Sequence, residues 1–187
     1  MKLKIITEFT LLSLFLSGCL SFQTKITPIS TLDSANENNG QLLLIITLEK
    51  NKYHLGEQIR PNLRLQNLGS RGVLIRNKFT PGYDANEHHV NIEEIFIGPN
   101  HKPVDLSGTM VRFLPSSEME FNSEFQILEG MKEFSRTFGN LGFNYNINQV
   151  GKYSYQIKYK NHFDPSDGRI AWKGILTSNV IEFEIVP

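Results

Sequence analysis

The sequence predicts an all-β domain within residues 41–187, built as an antiparallel sandwich of two sheets with about nine strands. Short apolar or alternating segments recur about every 8 to 15 residues, with turn signals between them. The chain contains 14 glycines and 8 prolines, which are spread along its length as in proteins with many turns. No segment shows a convincing helical period, and no second core is needed.

The first two predicted strands show different patterns of burial. Residues 41–49, QLLLIITLE, form an apolar run with little alternation, which is typical of a strand covered on both faces. The next strand alternates, so Ile59, Leu63 and Leu65 are expected to face inward. Because Pro61 has no N–H to donate, this strand should lie at an edge or begin after Pro61.

The later elements are also read as short strands. Val90, Ile92 and Phe96 share one parity in the segment HVNIEEIFIG and are expected to lie on one face. The remaining predicted strands cover residues 73–77, 102–106, 110–114, two halves of 125–138 on either side of Glu129–Gly130, 151–160 and 179–186.

The segment GKYSYQIKYK, residues 151–160, alternates without interruption. Tyr153, Tyr155, Ile157 and Tyr159 share one parity, so three aromatic rings lie on one side of the strand. Such a row is either a binding platform or a wall of the core. Aromatic side chains at strand alternation each bury about 150–250 Å², so the core is the favoured interpretation.

The first 18 residues have the order of an export signal. Lys2 and Lys4 precede the apolar run 11–16, and Ser17 and Gly18 follow it. The apolar run is too short to span a bilayer. The sequence therefore predicts a signal peptide over residues 1–18.

The exit of this signal, Leu16-Ser17-Gly18-Cys19, resembles the lipobox of bacterial lipoproteins. The resemblance implies cleavage before Cys19, a diacylglycerol on its thiol and often an acyl chain on the new amine. Two or three such chains anchor a protein stably to a membrane. Cys19 is the only cysteine in the chain, which favours this interpretation over a plain secretory signal with an incidental cysteine.

Residues 19–40 are predicted to be the lipidated N-terminus and a flexible tether, because 22–40 are polar and rich in asparagine. A short amphipathic segment packed on the domain is the alternative. Leu20 and Ser21 follow Cys19, so no aspartate holds the second place. We expect the protein to be located in the cell envelope. By resemblance to Gram-negative lipoproteins, the lack of an aspartate in the second place favours the outer membrane if the host is such a bacterium.

The domain resembles immunoglobulin-like domains in several places. Residues 151–155, Gly-Lys-Tyr-Ser-Tyr, match the Gly-x-Tyr-x-Cys at the start of their penultimate strand, with Tyr155 in the place of the core cysteine. Residues 53–67, 127–138 and 171–179 resemble the opening, middle and end of bacterial members. The resemblance implies an immunoglobulin-like sandwich over most of 41–187, and it transfers no functional residue.

Neither composition nor motifs indicate an enzyme or a nucleic-acid-binding protein. The formal net charge is zero, so no field attracts nucleic acid. No G-x-S-x-G or H-E-x-x-H motif occurs, and we predict no catalytic residue, no metal site and no cofactor. His88 and His89 would point to opposite faces of a strand and could not share an ion, but in a loop they could, together with Glu93.

Loops usually carry the binding sites of such sandwiches, so residues 79–89 and 162–172 are the candidate surfaces. The candidate binding residues are Tyr83, His88, His89, His162 and Trp172. For Trp172 a place in the core is favoured over a ligand-stacking role. The expected function is a membrane-anchored, non-enzymatic binding or structural domain with a protein or glycan partner. The alternatives are a protease inhibitor or accessory domain of a secreted protease, and a small metal-dependent hydrolase.

Overall fold

The computed structural model describes residues 42–79, 91–108 and 117–187. Within these ranges the chain forms an all-β sandwich, as predicted, with ten strands and two short helices. The strands are β1 Leu42–Thr47, β2 Lys52–His54, β3 Asn62–Asn67, β4 Val73–Arg76, β5 Ile92–Ile97, β6 Phe125–Leu128, β7 Glu133–Thr137, β8 Gly151–Asn161, β9 Gly174–Thr177 and β10 Ile181–Val186. The helices are α1 Glu118–Ser123 and α2 Leu141–Asn144.

Three sheets make up the fold. The first sheet has the order β1-β3-β7, the second has the order β2-β10-β8-β5 with β9 also paired to β8, and the third is the pair β4-β6. The pairings are antiparallel, as predicted, except for one. β2 runs parallel to β10, with Tyr53 opposite Ile185. Two strands at opposite ends of the chain meet here, and alternation within either strand carries no information about their relative direction.

The first and third sheets are two parts of one bent ribbon. β3 continues into β4 through residues 68–72, and β6 continues into β7 through residues 129–132. We call these two connections together the corner. All four residues of β4 are buried, because Val73 and Ile75 face the main core while Leu74 packs with Phe125 and Ala171 on the other side.

The main core lies between the first and second sheets. The first sheet contributes Leu44, Ile46, Leu63 and Leu65, as the patterns of β1 and β3 predict. The second sheet contributes the row Tyr153, Tyr155, Ile157 and Tyr159, together with Ile92, Phe96, Phe183 and Ile185. β3 begins at Asn62, directly after Pro61, in agreement with the expectation for that proline.

The sequence analysis found no convincing helix, and the two short helices correct it. Both are too short to show a 3.6-residue period, and both depend on a capping side chain. Ser117 Oγ accepts a hydrogen bond from Glu120 N at the start of α1 (3.2 Å). Asn140 Oδ1 accepts one from Gly142 N at the start of α2 (3.2 Å). No helix among the described residues is long and apolar enough to cross a membrane.

Candidate functional site

We call the two ends of the first sheet proximal and distal, according to their distance from Leu42. At the proximal end Leu42, where the described residues begin, pairs with Asn67 beside the corner. At the distal end Thr47 pairs with Asn62, and β7 finishes at Thr137. The five residues of β7 span about 17 Å between these ends.

An exposed aromatic side chain lies at the distal end. Phe143 on α2 keeps 74% of its surface exposed, while its neighbour Leu141 is buried in the main core. A depression of about 160 Å³ adjoins the Phe143 ring. It is lined by the buried Ile59 and Ile185 and by the exposed His54, among others. The depression has a lining of mixed polarity, and the exposed Phe143 is one of the residues that line it.

Backbone hydrogen bonds and one asparagine fix the position of α2. Leu141 N donates to Ile59 O (2.9 Å), and Phe138 N donates to Pro61 O (2.8 Å). The side chain of Asn140 is buried, and its Oδ1 accepts from Ile59 N (2.8 Å) as well as from Gly142 N. The ring of Phe143 is therefore presented by a helical turn that is bonded to the segment before β3.

One edge of this surface carries a charged pair. Glu57, which lines the same depression, forms an ion pair with Lys50, and this contact lowers the pKa of the Glu57 carboxyl. Glu57 Oε2 also accepts a hydrogen bond from His54 N (2.9 Å). The lining of the depression thus combines apolar side chains with an ionised carboxylate.

The second predicted surface, residues 162–172, is held by its own polar side chains. His162 is exposed. Asp164 accepts a hydrogen bond from Ala171 N (2.9 Å) and pairs with Lys173, which lowers the pKa of the Asp164 carboxyl. Ser166 N donates to Asn122 Oδ1 of α1 (2.8 Å). These polar contacts hold the loop and join it to α1, and the loop also exposes the apolar side chain of Ile170 (71%).

Trp172 lies in the main core, with 8% of its surface exposed. Its indole stacks on the ring of Tyr159, with the centroids 5.6 Å apart and the planes 18° from parallel. The backbone N–H of Trp172 donates a hydrogen bond to Leu74 O (2.8 Å). One face of the indole is therefore covered by the protein.

The first predicted surface falls mostly outside the described residues. Tyr83, His88 and His89 lie outside the described residues, so their predicted roles stay predictions. Glu93, the carboxylate considered beside the two histidines, pairs with Lys160 and with Lys158 (2.9 Å). These two contacts lower the pKa of Glu93. Among the described residues no group of three or more His, Cys, Asp or Glu could hold a metal ion.

Sequence reasoning missed a carboxyl group on the inner face of the second sheet. Glu94 accepts hydrogen bonds from the hydroxyls of Tyr145 (3.1 Å) and Tyr155. Burial raises the pKa of Glu94, and burial next to this carboxyl also raises the pKa of both tyrosines. Glu94 shares the parity of Ile92 and Phe96, and that signal was available in the sequence.

A buried ion pair was also missed, and no local signal indicates it. The guanidinium of Arg76 on β4 donates from Nε to Glu124 Oε2 (2.8 Å) and from a terminal nitrogen to the same oxygen (2.6 Å). Lys78 donates to the other oxygen of Glu124 (2.7 Å). The guanidinium also lies 5.0 Å from the centre of the Phe121 ring. These groups join β4 to the end of α1.

Comparisons with known proteins do not assign the chain to a family. No protein-family model matches the sequence, and no curated protein resembles it significantly.

Proposed function

We propose that this protein is a lipid-anchored protein of the bacterial cell envelope, with a non-enzymatic sandwich that binds a protein partner at its distal end. The anchor is argued from the sequence: Cys19 is the only cysteine, and it stands where the lipobox requires one. In a Gram-negative host the residues after Cys19 favour the outer membrane.

The observation that carries the binding proposal is the exposure of Phe143 at a fixed position. Aromatic side chains that fill or border pockets supply much of the binding energy of protein interfaces. The backbone of α2 is already ordered by its hydrogen bonds to the segment before β3, so association does not have to order it, which favours binding. The distal end lies across the first sheet from Leu42, which is the described residue nearest in sequence to the proposed anchor at Cys19.

We also propose that the sandwich is immunoglobulin-like. In that fold a tyrosine two residues before the position of the core cysteine donates a hydrogen bond from its hydroxyl to the backbone a few residues upstream. Tyr153, two residues before Tyr155, donates from its hydroxyl to Gln149 O (2.8 Å). This hydrogen bond supports the resemblance seen in the sequence.

The anchor is tested by the substitution Cys19→Ala. We expect the wild-type protein to sediment with membranes and to partition into detergent, and the variant to appear in the soluble fraction. Mass spectrometry of the mature N-terminus should find the acyl groups on Cys19. Membrane association of the Cys19→Ala protein would show that the lipobox interpretation is wrong.

The binding surface is tested by photocrosslinking in intact cells. A crosslinking amino acid at Phe143 should capture one defined protein. The matched control is the same amino acid at Ile175, which is also exposed (53%) but lies on β9. Equal capture from both positions, or capture of a glycan alone, would contradict the proposal. The inhibitor and hydrolase alternatives stay predictions, and a panel of secreted proteases and a metal analysis test them.

A further inference from the structure

The corner combines exposed apolar side chains with basic ones. Leu68 and Met131 are 46% and 73% exposed, and both lie in the corner connections. Arg71 and Lys132 are exposed in the same two connections. Glu129 is the acidic residue of the corner, so the corner carries a formal net charge of +1.

The corner is a fixed structure, held by the buried side chain of Asn67. Its Nδ2 donates to Arg71 O (2.8 Å) and Leu128 O (2.9 Å), and its Oδ1 accepts from Gly69 N (3.0 Å). Because this one amide joins both connections, the exposed side chains keep their relative positions.

A close approach of the two backbones completes the corner. A Cβ atom added to Gly130 would lie 2.3 Å from Ser70 O, so only glycine fits there. Met131 follows with a positive φ of 58° and donates its N–H to Gly69 O (3.0 Å). The turn thereby holds a large apolar side chain outward in a backbone conformation that such residues seldom adopt.

The position of the corner relates it to the proposed anchor. Leu42 pairs with Asn67, so the chain that leads back to Cys19 joins the sandwich directly beside the corner. Residues 19–40 reach at most about 75 Å at full extension, which keeps the sandwich near the membrane. Tethering of this kind gives an effective concentration of about millimolar, so even a weak contact with the bilayer is occupied.

We propose that the corner rests on an anionic lipid surface. This inference rests on the proposed lipid anchor. Leu68 and Met131 enter the interfacial region, where apolar side chains are favoured, and Arg71 and Lys132 lie at the headgroups. Glu133, the next residue along the chain, accepts a hydrogen bond from Gln66 (2.9 Å) and lies 3.7 Å from Arg64, so its charge is balanced locally. The contact directs the distal end, with Phe143, away from the membrane.

The test uses the lipidated full protein in vesicles of phosphatidylethanolamine and phosphatidylglycerol. With Cys19 acylated, the substitution Met131→Cys introduces a single free thiol for an environment-sensitive fluorophore. Phe143→Cys is the matched control, because the two native side chains are equally exposed (73% and 74%) at opposite ends of the sheet. The emission of Trp172 in both variants verifies the fold.

We expect the label at position 131 to shift to the blue and to be quenched by spin-labelled lipids at least about twofold more strongly than the label at position 143. The double substitution Arg71→Ser and Lys132→Ser should remove most of this difference. Equal quenching at both positions, or stronger quenching at position 143, overturns the inference. Those results leave the anchor intact if the protein still floats with the vesicles, whereas failure to float contradicts the proposed function itself.

Discussion

The buried pair of Arg76 and Glu124 gives the sharpest prediction about stability. The side chains are 2% and 5% exposed, and Glu124 accepts two hydrogen bonds from the guanidinium. In the variant Glu124→Gln the amide keeps the shape of the side chain but removes the carboxylate charge that faces the buried guanidinium of Arg76. Removing one partner of such a pair costs about 3–5 kcal/mol of the free energy of unfolding.

The measurement is urea unfolding of the Cys19→Ala protein, followed by the emission of Trp172. This is the only tryptophan, and it stacks on the buried Tyr159, so its emission reports on the core. With a slope of about 1–3 kcal/mol per molar urea, the expected loss lowers the midpoint by at least about 1 M.

A control pair and a double variant separate the charge effect from general damage. Glu133 and Arg64 form an exposed pair at 3.7 Å, so Glu133→Gln should change stability by less than about 1 kcal/mol. The double variant Arg76→Met and Glu124→Leu should recover part of the loss, because the buried guanidinium and the buried carboxylate are then both removed, while Lys78 is 31% exposed and keeps access to solvent. The reasoning is refuted if Glu124→Gln is as stable as the Glu133→Gln control.

Three further predictions concern single positions. Burial raises the pKa of Glu94 above the ordinary value of 4.5, so the folded protein binds a proton at this carboxyl more readily than the unfolded chain does. The contribution of Glu94 to the free energy of unfolding therefore increases as pH falls through the raised pKa towards 4.5. Glu94→Gln should abolish this pH-dependent component in unfolding measured from pH 4 to 8. Gly130→Ala should lower stability by about 1–3 kcal/mol, since its Cβ meets the facing backbone, whereas Gly139→Ala, with nothing within 4 Å, should not; equal midpoints would contradict this. Asn140→Ala removes the acceptor of Ile59 N and should cost about 1–2 kcal/mol in the same assay, and it should weaken crosslinking at the distal end.

Strand β8 shows which part of the core can be predicted from the alternation of residues within one segment. Tyr153, Tyr155, Ile157 and Tyr159 are all buried, as their shared parity predicts, because alternate side chains of any strand point to opposite faces. The same rule applies to Glu94, which lies on the inner face between Ile92 and Phe96. Its charge argues for the opposite side, and the hydroxyls of Tyr145 and Tyr155 stabilise the carboxyl group at the inner position by hydrogen bonds.

Other features of the candidate sites had no signal in the sequence. Arg76 and Glu124 lie 48 positions apart, and each in isolation is a residue type that is usually exposed. Phenylalanine is a residue type that is usually found in the core, yet the helical turn that contains Phe143 buries Leu141 and leaves Phe143 exposed. Which of two neighbouring apolar residues is buried depends on how a short helix docks, and four residues are too few to show a period.

The sequence by itself determined where most strands lie and which side chains of each strand face the core, because period-two alternation is a property of a single strand. Only the tertiary structure decided which strands are neighbours and that β2 runs parallel to β10. It also decided the long-range polar contacts, such as the Asn179 side chain that bonds both Ile46 N (2.9 Å) and Ile46 O (3.0 Å). Such contacts join residues that are far apart in the chain, and the pattern around either residue does not specify its partner.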